Sequence, residues 1–255
     1  MTVLASKAQT LRELHRPGDP VLLANAWDAA TARAVVAAGF PAVATTSSGV
    51  SWALGHEDGQ DTPPDEMFAA VARIAAAVDV PVTADLEAGY GLSATELVER
   101  MRDAGAVGLN FEDTDHDAPG PRSLVDAEAQ AARVAELREA SKATDHDIVI
   151  NARMDPYLLK MEDALEESLR RARLYLEAGA DCVFPAGIKE EADIERFTSE
   201  FDAPVNVLLI PGVPDIPRLA ELGVGRISVG GGLAKVSLAF HAQKLEALRE
   251  GQSYW

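Results

Sequence analysis

Three stretches of the chain carry acids in a pattern suited to metal-assisted or acid–base chemistry. Asp85-Leu86-Glu87-Ala88-Gly89-Tyr90-Gly91 follows one apolar, β-branched run, Glu112-Asp113 ends the next, and Asn151-Ala152-Arg153-Met154-Asp155 ends the one after. Asp85, Glu87 and Glu112 at close range would repel one another and hold raised pKa values unless a cation sat between them. Hard carboxylate oxygens with no His or Cys partner favour Mg2+ or Mn2+ over zinc. Asp85 and Glu87 are two residues apart, so a regular strand would point both the same way. Any one of these acids reads most simply as a helix cap or a surface charge. Three at consecutive strand ends favour a metal. Gly89-Tyr90-Gly91 reads as a turn needing positive φ that also brings backbone close to the acids. His116 could supply a proton near neutral pH, but a histidine in such a loop is expected to be exposed and idle. Cys182, in Asp181-Cys182-Val183-Phe184, is expected to be core rather than nucleophile.

These residues can meet only if the elements carrying them are neighbours. Strand-like runs fall at 21–23, 42–45, 82–85, 108–112, 148–152, 182–184, 205–208 and 226–229. Helical periodicity falls at 29–38, 65–78, 94–104, 125–142, 161–178, 189–201, 213–222 and 233–250. Gly39, Gly105, Gly179 and Gly223 each close a helix just before a strand, the position of a left-handed cap. Strand–helix alternation of this kind implies a parallel sheet. Eight pairs in 255 residues match a closed (β/α)8 barrel, expected as a single domain over 1–255. An open doubly wound sheet would show a glycine-rich phosphate fingerprint after its first strand, and Leu23-Ala24-Asn25-Ala26-Trp27-Asp28 is not one. In a barrel the active site lies at the C-terminal strand ends, where all three acidic stretches and the long loop 46–60 fall.

Composition bounds the partners. Lys+Arg 23 against Asp+Glu 41 gives a net charge of −18, which disfavours nucleic acid and anionic lipid. The single cysteine excludes an intramolecular disulfide. The N-terminal stretch has no long apolar run, so neither a signal peptide nor a membrane span is expected, and the protein reads as cytoplasmic.

With the elements in place, Leu23-Ala24-Asn25-Ala26-Trp27-Asp28-Ala29-Ala30-Thr31-Ala32-Arg33, Ser47-Ser48-Gly49-Val50, the Asp85–Gly91 stretch, Asn110-Phe111-Glu112-Asp113 and Asn151-Ala152-Arg153-Met154-Asp155 resemble, in this order, the isocitrate lyase/phosphoenolpyruvate mutase superfamily. The resemblance runs from about Asn25 to about Gly230. It implies Mg2+ held near Asp85, Glu87 and Glu112, much of it through water, and a small substrate whose 2-oxo or 2-hydroxy carboxylate chelates that metal. It implies that Ser48, Gly49 and Val50 hold the substrate carboxylate, that Arg153 neutralises the anion, that Asp58 stands near the metal, and that Asn206 on the seventh strand faces the substrate. Catalytic roles then fall to Arg153, Asp58 and Glu112. Members commonly assemble as tetramers through the last helix, so segment 231–255 is expected on a neighbouring subunit of a dimer or tetramer. Glu87 departs from the commoner Asp at its position.

Further departures narrow the reaction. Isocitrate and methylisocitrate lyases carry a Lys-Lys/Arg-Cys-Gly-His stretch after the fourth strand, whereas this chain reads Asp113-Thr114-Asp115-His116-Asp117-Ala118-Pro119-Gly120-Pro121-Arg122-Ser123-Leu124, without Cys. The mutases and phosphonopyruvate hydrolases carry a Glu-Asp-Lys start and a Lys-x-Asn-Ser patch, which Glu112-Asp113-Thr114 and Pro121-Arg122-Ser123 do not reproduce. The expectation is a Mg2+-dependent carbon–carbon lyase of the oxaloacetate-decarboxylase type. Phosphonomutase or phosphonopyruvate hydrolase chemistry is the alternative, and a non-catalytic 2-oxo acid-binding barrel is the second.

Overall fold

A computed structural model describes residues 2–255. Helix α1 (Val3–Leu14) precedes β1 (Val21–Leu23) and β2 (Asn25–Ala26), two halves of one run broken at Ala24. The chain continues through α2 (Ala29–Ala37), β3 (Val43–Thr45), α3 (Ser47–Leu54), α4 (Pro64–Ala76), β4 (Val82–Asp85), α5 (Ala94–Ala104) and β5 (Gly108–Glu112). A short hairpin, β6 (Thr114–Asp115) and β7 (Ser123–Leu124), follows, then α6 (Ala127–Ala143) and β8 (Val149–Met154). The last third holds α7 (Ala164–Glu177), β9 (Cys182–Pro185), α8 (Glu191–Glu200), β10 (Asn206–Leu208), α9 (Ile216–Glu221), β11 (Arg226–Ser228) and α10 (Gly232–Arg249).

Apart from the β6–β7 hairpin, every pairing is parallel. One sheet has the order β2-β3-β4-β5-β8-β9 and the other β1-β11-β10. A bridge between Val183 and Val205 joins β9 to the start of β10, and the continuous run of β1 and β2 joins the sheets on the other side. The pairing therefore returns to its origin, as the (β/α)8 expectation requires. Gly39, Gly105, Gly179 and Gly223 take φ of 92°, 79°, 103° and 82°, the left-handed stops read from the sequence.

Helix α5 shows how the sequence builds the outer layer. The Ser93 hydroxyl accepts from the Glu96 amide at the N-cap, Leu97, Val98 and Met101 are buried on one face, and Gly105 closes the C-terminus. Each such side chain contributes about 1.5–3 kcal/mol on burial. The sequence pattern does not anticipate α1. Its Ala8 and Leu11 pack among Val21, Leu23, Ala42, Ala44, Val107 and Val149, which closes the N-terminal end of the barrel. Inside the ring the filling is unusually polar: Thr83, Asn110, Asn151, Asn206, Arg226 and Ser228 are all buried. Among the described residues no helix is long and apolar enough to cross a membrane.

Candidate active site

Strand β4 ends at Asp85, and the geometry around it comes from both neighbours. The Asp85 amide donates to Thr45 Oγ1 at 2.8 Å, which aligns the tips of β3 and β4. Asp85 Oδ2 accepts from the Ser47 amide at 3.0 Å and lies 2.9 Å from Ser47 Oγ, while Oδ1 accepts from Asn110 Nδ2 at 3.4 Å. Ser47 Oγ is also 3.1 Å from Asp58 Oδ1, so its single proton serves one acid at a time. The exposed Asp58 is thus brought to the site through Ser47.

The two-residue strand repeat expected to align Asp85 and Glu87 is absent. Glu87 lies past the strand in the left-handed region at φ 49°, and Tyr90 follows at φ 56° between Gly89 and Gly91. Two non-glycine residues in this region store local strain of about 1–3 kcal/mol each. The turn delivers the Glu87 carboxylate to the Gln60 amide, 2.7 Å from Oε2, and to the Tyr90 hydroxyl, 2.8 Å from Oε1. Burial, reinforced by the charges of Glu112 and Asp85, pushes the Glu87 carboxyl up to about 7.

Glu112, at the tip of β5, is shared by two partners. His116 Nε2 lies 2.7 Å from Oε1, and Arg153 Nη1 lies 2.6 Å from Oε2. The expectation of an exposed His116 is overturned: the β6–β7 hairpin folds its ring onto Glu112, leaving 10% of the side chain exposed. Burial opposes the His116 charge, but the Glu112 hydrogen bond and field outweigh it and raise its pKa. Arg153 is already engaged. Its Nε and Nη2 form a fork on Asp155 at 2.7 and 2.8 Å, and Thr114 Oγ1 donates to the same carboxylate at 2.6 Å. Asp113 points away from the site, to Arg171 Nη1 at 3.0 Å and Tyr175 Oη at 2.8 Å.

Ligand atoms of Glu87, Glu112 and His116 all lie within 4.8 Å of one another. This donor set fits a divalent cation: two carboxylates, one imidazole, and a guanidinium, shared with Asp155, that touches Glu112 alone of the three. Asp85 stands beside this trio. The structure therefore brings together Asp58, Asp85, Glu87, Glu112 and Arg153.

Other candidates are placed differently. Residues 47–54, expected as loop, form α3, capped by Thr46. Ser48 Oγ pairs with Thr46 Oγ1 at 3.0 Å, and the Gly49 amide faces Thr46 Oγ1 at 3.5 Å. Val50 is buried in the core with its amide donated to the Thr46 carbonyl at 3.0 Å, so that N–H is closed to a ligand. Asn206 is fully buried in the barrel wall, its Nδ2 donating to Ser228 Oγ at 3.3 Å while Oδ1 has no partner. Cys182 is buried and its thiol pushed up to about 12 by burial, in keeping with a core residue. Reading by motif gave no role to Ser47, Gln60 or Asn110, which hydrogen-bond the carboxylates of Asp85 and Glu87. Only Asn110, flanked by apolar residues on a strand, offered a local signal, being a polar side chain in a run otherwise buried.

The family model described as phosphoenolpyruvate phosphomutase matches residues 11–249. A crystal structure from Burkholderia cenocepacia J2315, of a protein described provisionally as a phosphonomutase, is 37% identical with a TM-score of 0.87, covering 94% of this chain and 99% of that one. An uncharacterized protein of Mycobacterium tuberculosis is 31% identical, covering 95% of this chain and 90% of its own length. A phosphoenolpyruvate phosphomutase of Streptomyces hygroscopicus is 32% identical over 83% of this chain and 70% of its own. Names among further relatives include oxaloacetate decarboxylase and 2-methylisocitrate lyase. The acid-tipped barrel and these matches agree: the chain belongs to the phosphoenolpyruvate phosphomutase family, within the isocitrate lyase/phosphoenolpyruvate mutase superfamily of lyases and mutases.

Proposed function

We propose that the protein is a Mg2+-dependent lyase, with Mn2+ able to replace Mg2+, that cleaves the carbon–carbon bond beside a 2-oxo or 2-hydroxy carboxylate. An oxaloacetate-like diacid is the substrate this reading favours. The observation that carries it is the convergence of Glu87 and Glu112, with Asp85 adjacent, beneath a hairpin segment bearing Asp115 and Asp117. Glu87, Glu112 and Asp85 would hold the cation, directly or through water. When bound, it supplies a Lewis acid that offsets negative charge on the 2-oxygen. The chain's own residues do the rest. Ser48, at the start of α3, offers its hydroxyl to the substrate carboxylate, while Ser47 keeps its proton for Asp85 or Asp58. Arg153, forked on Asp155, turns Nη1 toward Glu112, and that edge is the donor left for an anionic substrate once Glu112 faces a cation. In decarboxylation the electron pair of the breaking C–C bond passes into the 2-oxo group as an enolate and CO2 leaves. The carbon then takes a proton from water, so no cysteine is required.

Carbon–phosphorus chemistry is the second reading. It is supported by relatives named for it and by Arg122, whose guanidinium lies 3.3 Å from where a Cβ on Gly59 would stand, over the site's edge. Acids at 115 and 117 oppose it, because they would repel a transferring phosphoryl group.

The test compares kcat/KM for oxaloacetate-like diacids with that for phosphonopyruvate, each against Asp85→Ala. Metal ions alone decarboxylate oxaloacetate, so only turnover that Asp85→Ala abolishes supports the proposal. Efficient, Asp85-dependent C–P cleavage without C–C cleavage would reverse it. Binding of a 2-oxo acid without any turnover would identify a non-catalytic barrel. We further propose that α10 packs on a neighbouring copy of the chain, giving a dimer or tetramer.

A further inference from the structure

The hairpin after β5 brings a nitrogen donor into what the sequence presents as an all-oxygen site. His116 Nε2 faces Glu112 Oε1 at 2.7 Å, and the same neighbourhood holds a Glu87 carboxylate oxygen within 4.8 Å of both. The arrangement is enclosed from the other side by loop 55–61. A Cβ at Gly59 would stand 3.7 Å from His116 Nδ1, so this loop runs against the imidazole face, and the Gln60 amide holds Glu87. The ring is held between two loops and two acids rather than swinging in solvent. Asp85 stands beside them, with Oδ2 facing Ser47 and Oδ1 facing Asn110.

We infer that His116 Nε2 is a further ligand of the cation that Glu87, Glu112 and the adjacent Asp85 would hold, adding one imidazole to the carboxylates so that Mn2+ and Co2+ bind more tightly than Mg2+, which still serves the site. The inference rests on the metal-dependent reading above and narrows it. Mg2+ is hard, keeps its waters and gains little from an imidazole, whereas Mn2+ and, more strongly, Co2+ bind mixed nitrogen–oxygen sets well. The hydrogen bond from His116 to Glu112 is replaced when the Nε2 lone pair turns to the cation. Glu112 Oε1, the oxygen that faces His116 rather than Arg153, is the coordinating atom.

The experiment measures binding, not turnover. Mn2+ is titrated into the full-length apoprotein with free Mn2+ followed by electron paramagnetic resonance, and Mg2+ and Co2+ compete for the site. The Mn2+-loaded protein is then examined by electron spin-echo envelope modulation for a directly bound nitrogen. The wild type should show that modulation and prefer Mn2+ and Co2+ to Mg2+. His116→Gln should lose the nitrogen signal and weaken Mn2+ and Co2+ binding at least about tenfold, with Mg2+ affinity nearly unchanged. His116→Asp, which restores an all-oxygen set, should bind Mg2+ more tightly than wild type and show no nitrogen modulation. Bound Mn2+ without nitrogen modulation in the wild type, or ion preferences unaltered in His116→Gln, would overturn the inference and leave the metal-dependent reading standing. A wild type that binds none of the three ions would overturn that reading itself.

Discussion

Arg153 is held by two buried or nearly buried acids before any substrate arrives, with Asp155 occupying its fork and Glu112 its remaining edge. A lysine at this position keeps one positive charge but cannot satisfy Asp155 and Glu112 together, because it lacks the planar fork. Arg153→Lys is therefore expected to lower kcat/KM more than tenfold, about 1.4 kcal/mol of transition-state stabilisation. Steady-state kinetics with the best diacid substrate checks this, and wild-type values in the variant would remove Arg153 from the site. Gly49 also acquires a packing reason independent of any ligand. A Cβ there would lie 2.7 Å from Thr46 Cγ2 and 3.0 Å from Trp27 Cβ. Gly49→Ala should destabilise the fold by about 1–3 kcal/mol through overpacking, measured by urea denaturation.

At the scale of elements, α6 ties the two acidic strand ends together. Gln130 Nε2 donates to the Glu112 carbonyl at 2.9 Å, and Arg133 donates to Gln130 Oε1 at 3.0 Å and to the Ala88 carbonyl at 2.6 Å. The Arg133 guanidinium also lies 4.7 Å from the centre of the Phe111 ring. One helix thus fixes the backbone on both sides of the Glu87–Glu112 pair. Gln130→Ala leaves the buried Glu112 carbonyl without this donor, a loss of about 1–3 kcal/mol. The melting temperature should fall by roughly 2–4 °C per kcal/mol, and amides near Glu112 should exchange faster. Unchanged melting and exchange in this variant would show that α6 does not brace the site.

Over the whole molecule, the distribution of apolar surface is uneven. Val236, Leu238 and Phe240 of α10 are 67%, 56% and 60% exposed, and Leu245 and Leu248 stand out beside them. Trp27, Trp52, Ala53 and Leu238 line an adjoining groove of about 240 Å3. A cluster of this kind is more than scattered surface hydrophobes and suits an interface. Light scattering at micromolar concentration should give a dimer or tetramer, and Leu238→Asp/Phe240→Asp should give monomers. A wild-type monomer would reject the interface.

The barrel floor gives the molecule a pH dependence. Burial and the charge of Arg226 push the His15 imidazole down to about 3, with Arg12 adding to the effect and the Leu11 carbonyl opposing it. The unfolded chain protonates His15 near pH 6.5 while the folded one does not, so the unfolded state binds more protons between these values. Stability is then full above pH 6.5 and falls as pH drops toward 3, by on the order of 2 kcal/mol at pH 5. His146, also lowered chiefly by burial, acts with the same sign. His15→Gln should flatten this acid limb in denaturation series between pH 7 and 5, and an unaltered slope would contradict the burial argument.

Periodicity and punctuation by themselves determined the eight strand–helix pairs, the four left-handed glycine stops and the arrival of Asp85, Glu112 and Arg153 at neighbouring strand ends. Such features are local: a strand alternates, a helix repeats, and a glycine cap follows, whatever the rest of the chain does. Helix α1 escaped this reading because its stretch, rich in polar residues, gains its role only when Leu11 meets strands from three parts of the chain. The turn that aims Glu87, the seating of His116 on Glu112 and the capture of Arg153 by Asp155 also lay beyond it. Gln60 meets Glu87 from 27 residues away. Although His116 and Asp155 lie only four and two residues from their partners, the β6–β7 hairpin sets the first and the neighbouring Glu112 strand end helps fix Arg153 on the second. The buried Arg226 makes the point most clearly: its guanidinium meets His15 from 211 residues away and Asn110 from 116. Contacts at such separations have no local period, and only closure of the barrel decides them.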